Sequence, residues 1–212
     1  MRPVNRRTLL GVAIAASAAL AFAGGAAQAA GDAKVGKPAP GFTGTTATGK
    51  PIALDAYRGK TVVLEWTNHE CPYVRKHYGA DNMQKTQKSA VDKGVVWLSV
   101  ISSAPGEEGH VDGAEALKIA KERGAHPTEI ILDPEGTIGQ TYGARTTPHM
   151  YIIDPDGVLK YMGGIDSIAS SRKSDIEKAT NYVTVALNEM AAGKPVSNPV
   201  TRAYGCSVKY AW

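Results

Sequence analysis

Cysteine is scarce in this chain of 212 residues: there are two, too few to staple a disulfide-framework miniprotein. Glycine has no three-residue period, which excludes a collagen-like rod. The longest apolar stretch is Ala-rich and falls short of the roughly 20 residues of a membrane-spanning helix. No phosphate loop, dinucleotide fingerprint, paired acidic metal motif or basic-aromatic stripe is present, so nucleotide and nucleic-acid partners have no footing. What is present is 43% hydrophobic residues, enough for a folded core rather than a disordered chain.

Acidic residues are absent from residues 1–29. Arg2, Arg6 and Arg7 precede an apolar stretch from Leu9 to Ala23, and Ala27-Gln28-Ala29 supplies an A-x-A cleavage pattern. These features predict a signal peptide, and hence a periplasmic or otherwise exported protein with no stable membrane anchor after cleavage. The run Asn5-Arg6-Arg7-Thr8-Leu9-Leu10 also admits twin-arginine export, so the route, general secretion or twin-arginine, stays open. Losing three arginines takes the formal net charge from +4 to +1, which removes the case for an anionic partner. The exported chain meets an oxidising compartment, where two cysteines can pair.

Along the mature chain, residues 34–60 predict an irregular Gly/Pro/Thr-rich lead-in without helix. Thr61–Trp66 reads as a buried strand, then Pro72 to about Val91 as a single polar helix. A second buried strand at Val95–Ile101, a helix over Gly113–Arg123 and a short strand at Thr128–Leu132 complete two crossovers. A short helix at Ile138–Tyr142 precedes a hairpin, Met150–Ile153 and Val158–Met162, turning at Asp154-Pro155-Asp156-Gly157. Ser174 to Ala192 reads as the last helix, capped by Ser174, and the tail from Gly193 to Trp212 is unpatterned. The order predicts an α/β fold with a central mixed sheet flanked by helices.

Cys71 falls between a buried strand and a helix start, where unpaired amides favour the thiolate, the nucleophilic form. His69, Arg75, Lys76 and His77 are candidates for added positive potential. The alternative is an inert core cysteine, against which the polar flanks Asn68, His69, Glu70 and Arg75 speak. His69, Cys71, His77 and His149 have the atom types of a copper or zinc site, yet the histidines read as surface groups near a helix start. No metal or cofactor is assigned.

The segment Trp66-Thr67-Asn68-His69-Glu70-Cys71-Pro72-Tyr73-Val74-Arg75, followed by Thr146-Thr147-Pro148 before the hairpin, resembles the thioredoxin-like redoxins. Within them it is most similar to the peroxiredoxin-like group of alkyl hydroperoxide reductase and thiol-specific antioxidant proteins, as is the lead-in Val35-Gly36-Lys37-Pro38-Ala39-Pro40-Gly41-Phe42. The similarity covers residues 34–192 and implies a thioredoxin-like domain there, with 193–212 as a tail. It also implies that Cys71 is the nucleophile, that Pro148 is the cis proline beside it, and that Glu65 is the buried acid that moves protons. A carboxylate in an apolar strand should have a raised pKa in any case, unless it reaches solvent or a lysine. Val74 stands in place of a second active-site cysteine, and Asn68 and Pro148 stand where peroxiredoxins carry the Thr and Arg that orient peroxide. Arg145 is the nearest substitute.

Cys206 lies 13 residues beyond Gly193, a tether of about 43–47 Å when extended, so it can reach Cys71. It is then a resolving cysteine, the partner of a permanent disulfide, or free. The expectation is an exported thiol-dependent oxidoreductase, of thiol–disulfide exchange or antioxidant peroxidase type, working on a thiol or disulfide protein or a small peroxide. The alternative is a non-catalytic binding or copper-handling module with a structural Cys71–Cys206 disulfide. No pattern assigns an oligomeric state.

Overall fold

The computed structural model describes Met1 and residues 33–211; apart from Met1, the signal peptide assigned to residues 1–29 lies outside the described residues. Strand β3, Val62–Trp66, has every residue buried, as its continuous apolar run demands. It lies between β4, Val96–Ile101, in parallel, and β7, His149–Ile153, antiparallel. Beyond β4 runs β5, Glu129–Leu132, parallel; beyond β7 runs β8, Leu159–Gly163, antiparallel. The crossovers carry α1, Pro72–Tyr78, and α2, Asn82–Val91, between β3 and β4, and α3, Gly113–Glu122, between β4 and β5. Helix α4, Thr137–Tyr142, leads to β6, Thr146–Thr147, and α5, Tyr182–Ala191, follows the hairpin. The predicted mixed α/β sheet flanked by helices is the fold observed.

Alternation along β3 sends Val63 and Glu65 to one face and Val62, Leu64 and Trp66 to the other. On the first face Val63, Trp97, Met150 and Ile152 pack with Val74, Met83, Val183 and Ala186 from α1, α2 and α5. On the second, Trp66 packs with Tyr142 and Tyr151, their ring centroids 5.4 and 5.1 Å away.

Four expectations need correction. The lead-in is not irregular: Thr43–Thr46 and Pro51–Ala53 form a hairpin, β1 and β2, that extends the sheet beyond β5, and Leu54–Tyr57 is a short 3-10 helix. The helix expected from Pro72 to Val91 breaks at Gly79–Asp81, where Asp81 is left-handed at φ 55°. The Gln84 side chain donates to the freed Tyr78 carbonyl at 2.8 Å. The last helix also begins later. Residues Lys173–Lys178 are 3-10, Tyr182 N–H donates to Ile165 O at 2.9 Å, and Asn181 rather than Ser174 caps α5 through the Thr184 amide at 3.0 Å. The tail, finally, is not unpatterned, because Cys206–Ser207 forms β9 against β6.

Candidate active site

Because β7 runs antiparallel to β3, the segment entering β7 lies beside the segment leaving β3. Cys71 sits at the second of these, as the residue before α1, with Pro72 at the first helical position where no amide is needed. Thr147-Pro148 sits at the first, and its peptide bond is cis. The Cys71 thiol donates to the Thr147 carbonyl at 3.1 Å. Strand β9 pairs Cys206 with Thr147 and Ser207 with Thr146, which brings the second cysteine onto the first. Both cysteines are free thiols.

Burial alone would raise the Cys71 pKa. The Cys206 thiol, the Thr147 side chain and the amides of Val74 and Cys206 oppose it, and together they hold the thiol below its ordinary value. The Thr147 hydroxyl is buried without a hydrogen-bond partner, so it is available when the sulfur becomes an acceptor. Cys206 responds in the opposite sense: burial, its hydrogen bond to Cys71, the Cys71 charge and Glu108 push it up to about 12, against Lys209. Of the two thiols, Cys71 is therefore the one that ionises first.

Basic neighbours contribute less than the sequence suggests. Arg75 is exposed, and its Nε donates to the His69 carbonyl at 3.3 Å. Lys76 is 1% exposed and its Nζ is 3.1 Å from Asp166 Oδ2. His77 is buried, its Nε2 is 3.2 Å from the Tyr204 hydroxyl, and desolvation with the Lys76 charge lowers it to about 4 despite Asp166. His149 is likewise buried and lowered to about 4 by desolvation and Arg145. These two are not surface groups as expected, and among the described residues no three His, Cys, Asp or Glu side chains gather to hold a metal. Nor is Cys71 exposed by its polar flanks: its relative accessibility is 0%, with the tail above it.

Glu65 neither reaches solvent nor pairs with lysine. It accepts from the Tyr78 hydroxyl at 2.9 Å, Gln87 at 2.9 Å, the Trp97 indole at 2.8 Å and Ser99 at 3.0 Å. Desolvation outweighs these four donors and raises its pKa, as expected for a carboxylate in this strand. None of its hydrogen-bond partners is Cys71. A raised folded pKa means that the folded protein holds this proton more tightly, so the contribution of Glu65 to stability is full in acid and declines as pH rises through that raised value. Urea titrations of wild type and Glu65→Gln should therefore show an advantage for wild type that shrinks between about pH 4 and the raised pKa. Glu65→Leu should cost about 1–3 kcal/mol for each donor it strands; a pH-independent difference would contradict this assignment.

Asn68 is not free to orient a substrate. Its Nδ2 donates to Glu108 O at 3.2 Å and to Glu108 Oε1 at 3.1 Å, while its Oδ1 accepts from the Glu70 amide at 2.8 Å. Arg145 is exposed, and its backbone carbonyl accepts from the Val208 amide at 3.0 Å. Sequence reasoning passed over Tyr204, whose hydroxyl donates to Asp166 and which anchors the tail beside Lys76 and His77. Its signal was an aromatic residue two positions before a cysteine.

A solved structure of an uncharacterized conserved protein from Geobacillus kaustophilus superposes with a TM-score of 0.74 at 24% identity, covering 84% of this chain and 93% of that one. A hypothetical protein from Sinorhizobium meliloti 1021 gives 0.70 at 21%, covering 87% and 98%. Both are similarities of fold. In sequence, the chain is 28% identical over 145 residues to a thioredoxin-like protein, YneN, of Bacillus subtilis strain 168, covering 67% of this chain and 79% of the relative. The AhpC/TSA family model matches residues 35–162, a stretch that holds β3, Cys71, the cis proline and the hairpin, and the chain belongs to that family.

Proposed function

We propose that this redoxin is an exported thiol–disulfide oxidoreductase in which Cys71 attacks and Cys206 resolves. The observation that carries this reading is that the β6–β9 pairing sets Cys206 opposite Thr147, whose carbonyl accepts from the Cys71 thiol, and packs it against the cluster that holds Cys71. The Cys71 thiolate attacks one sulfur of a substrate disulfide, and the other leaves as a thiolate. The mixed disulfide has no charge on Cys71. Two of the causes that hold Cys206 protonated, its hydrogen bond to Cys71 and the Cys71 charge, are then gone. Cys206 gives its proton to the departed thiolate or to water and attacks Cys71, releasing the substrate's second thiol. The substrate is reduced by two electrons, and an external dithiol returns the Cys71–Cys206 disulfide to the resting pair.

Reduction of a disulfide is favoured over reduction of peroxide because Asn68 is committed to Glu108, Pro148 takes the Arg position and Arg145 is exposed. Glu65 serves in this reading as a buried proton store behind the site. Export rests on residues 1–29, and residues 34–192 with the tail form the working unit. The test is alkylation mass spectrometry of the reduced protein after challenge with glutathione disulfide or hydrogen peroxide. Glutathione disulfide should give a transient adduct on Cys71 and then a Cys71–Cys206 disulfide, within minutes and faster than an equal concentration of peroxide. Conversion by peroxide alone would move the assignment to a peroxidase, and a native disulfide resistant to dithiothreitol would make the pair structural.

A further inference from the structure

Cys71 is fully buried, and β9 covers the Thr147 backbone to which its thiol donates. That cover is a strand, not a loop. Cys206 pairs with Thr147 and Ser207 with Thr146, so the tail uses backbone groups of β6 that would otherwise form an open edge. It is also short, two residues, between firm attachments on both sides. Upstream, Tyr204 inserts its hydroxyl among Asp166, Lys76 and His77. Downstream, Val208 N–H donates to Arg145 O at 3.0 Å, Lys209 O accepts from Ala104 N–H at 2.8 Å, and the Tyr210 hydroxyl donates to Ala144 O at 2.8 Å. Gly205 joins the upstream anchor to the strand at φ +144°, and a Cβ there would collide with the Thr147 carbonyl oxygen.

We propose that residues 205–207 are a self-supplied strand on the edge where Cys71 meets its partners, and that an extended cysteine-bearing polypeptide exchanges with Cys71 only by displacing them. The geometry names the partner's chemistry: a chain able to pair antiparallel with Thr146–Thr147, carrying a sulfur where Cys206 carries its own. This rests on the exchange reading above, but its gating is measured without any disulfide chemistry. Tyr204 and Gly205 are positioning residues for the cover.

The experiment follows alkylation of Cys71 by iodoacetamide, quantified on the Cys71 peptide at the high-pH limit of the rate, where ionisation no longer matters. The full-length chain is compared with Gly205→Ala, which forces the strand off Thr147, and Tyr204→Phe, which loosens its anchor. Amide hydrogen exchange is recorded in parallel. Gly205→Ala should accelerate Cys71 alkylation roughly tenfold or more and Tyr204→Phe less, with faster exchange confined to residues 204–208 and 146–147. A synthetic peptide of residues 202–210 with serine in place of cysteine should slow alkylation of Gly205→Ala back toward the wild-type rate. The proposal fails if Cys71 of the wild type already reacts as fast as in urea. It fails equally if freeing the strand leaves the rate unchanged, or if the peptide gives no protection. Gated alkylation without any response to glutathione disulfide would instead remove the oxidoreductase reading and leave the cover in place.

Discussion

Cys206→Ala should stop the cycle after its first half and shift the titration of Cys71 upward. Alanine removes the neighbouring thiol, one of the contributions that offset burial, so the pH at which Cys71 becomes alkylatable rises. It also removes the resolving sulfur. Challenge with glutathione disulfide should then leave a stable glutathione adduct on Cys71, and turnover should require added thiol. Cys206→Ser keeps a hydroxyl donor and should shift the titration less while trapping the same adduct. Cys71→Ser should lower exchange by about 10³-fold or more, the scale of loss when a covalent nucleophile is removed. Equal turnover by Cys206→Ala and wild type, without added thiol, would show that resolution comes from elsewhere.

Asp166→Asn is expected to be among the most destabilising single changes in the molecule. Lys76 and Asp166 have side-chain accessibilities of 0% and 2%, and the pair lies 3.1 Å apart. With asparagine the ammonium keeps the Ile168 carbonyl at 3.1 Å and the Tyr204 hydroxyl at 3.4 Å but no compensating charge. Breaking one side of a buried pair costs about 3–5 kcal/mol. Lys76→Met alone should cost a similar amount, and the double variant should cost clearly less than the two together, because both charges then leave. Urea unfolding of the four proteins measures this cycle, and additive losses would contradict it. Because Tyr204 shares the cluster, Asp166→Asn should also expose Cys71 to alkylation before the protein unfolds.

The strands next to the site were legible because burial on both faces leaves a continuous apolar run, as in Val62–Leu64 and Val96–Leu98. Cys71 was legible because Pro72 marks a helix start, and Glu65 because a carboxylate in such a strand is conspicuous. The β1–β2 hairpin was not, since its Thr and Gly residues are held by pairing with β5 rather than by any period of their own. Lys76 shows the same limit in another way. A lysine in a polar helix reads as a solvated group, and only the fold brings Asp166, from beyond β8, against it. The break at Gly79–Asp81 was hidden because Asp81, in an otherwise helical string, takes its left-handed conformation without a glycine. Strand β9 carries no signal of its own, because two residues have no periodicity and their pairing is specified by β6.

The placement of Cys206 also bears on the lifetime of anything bound at Cys71. Two thiols that are far apart in sequence are neighbours in the reduced fold, so the second has a high effective concentration at the first before any disulfide forms. A partner captured on Cys71 competes with that internal thiol from the moment β9 returns, and its complex should be short-lived. In the unfolded chain the same disulfide would have to close a loop at a cost of about 4–5 kcal/mol. By linkage, whatever the disulfide adds to the stability of the fold, the fold adds to the persistence of the disulfide.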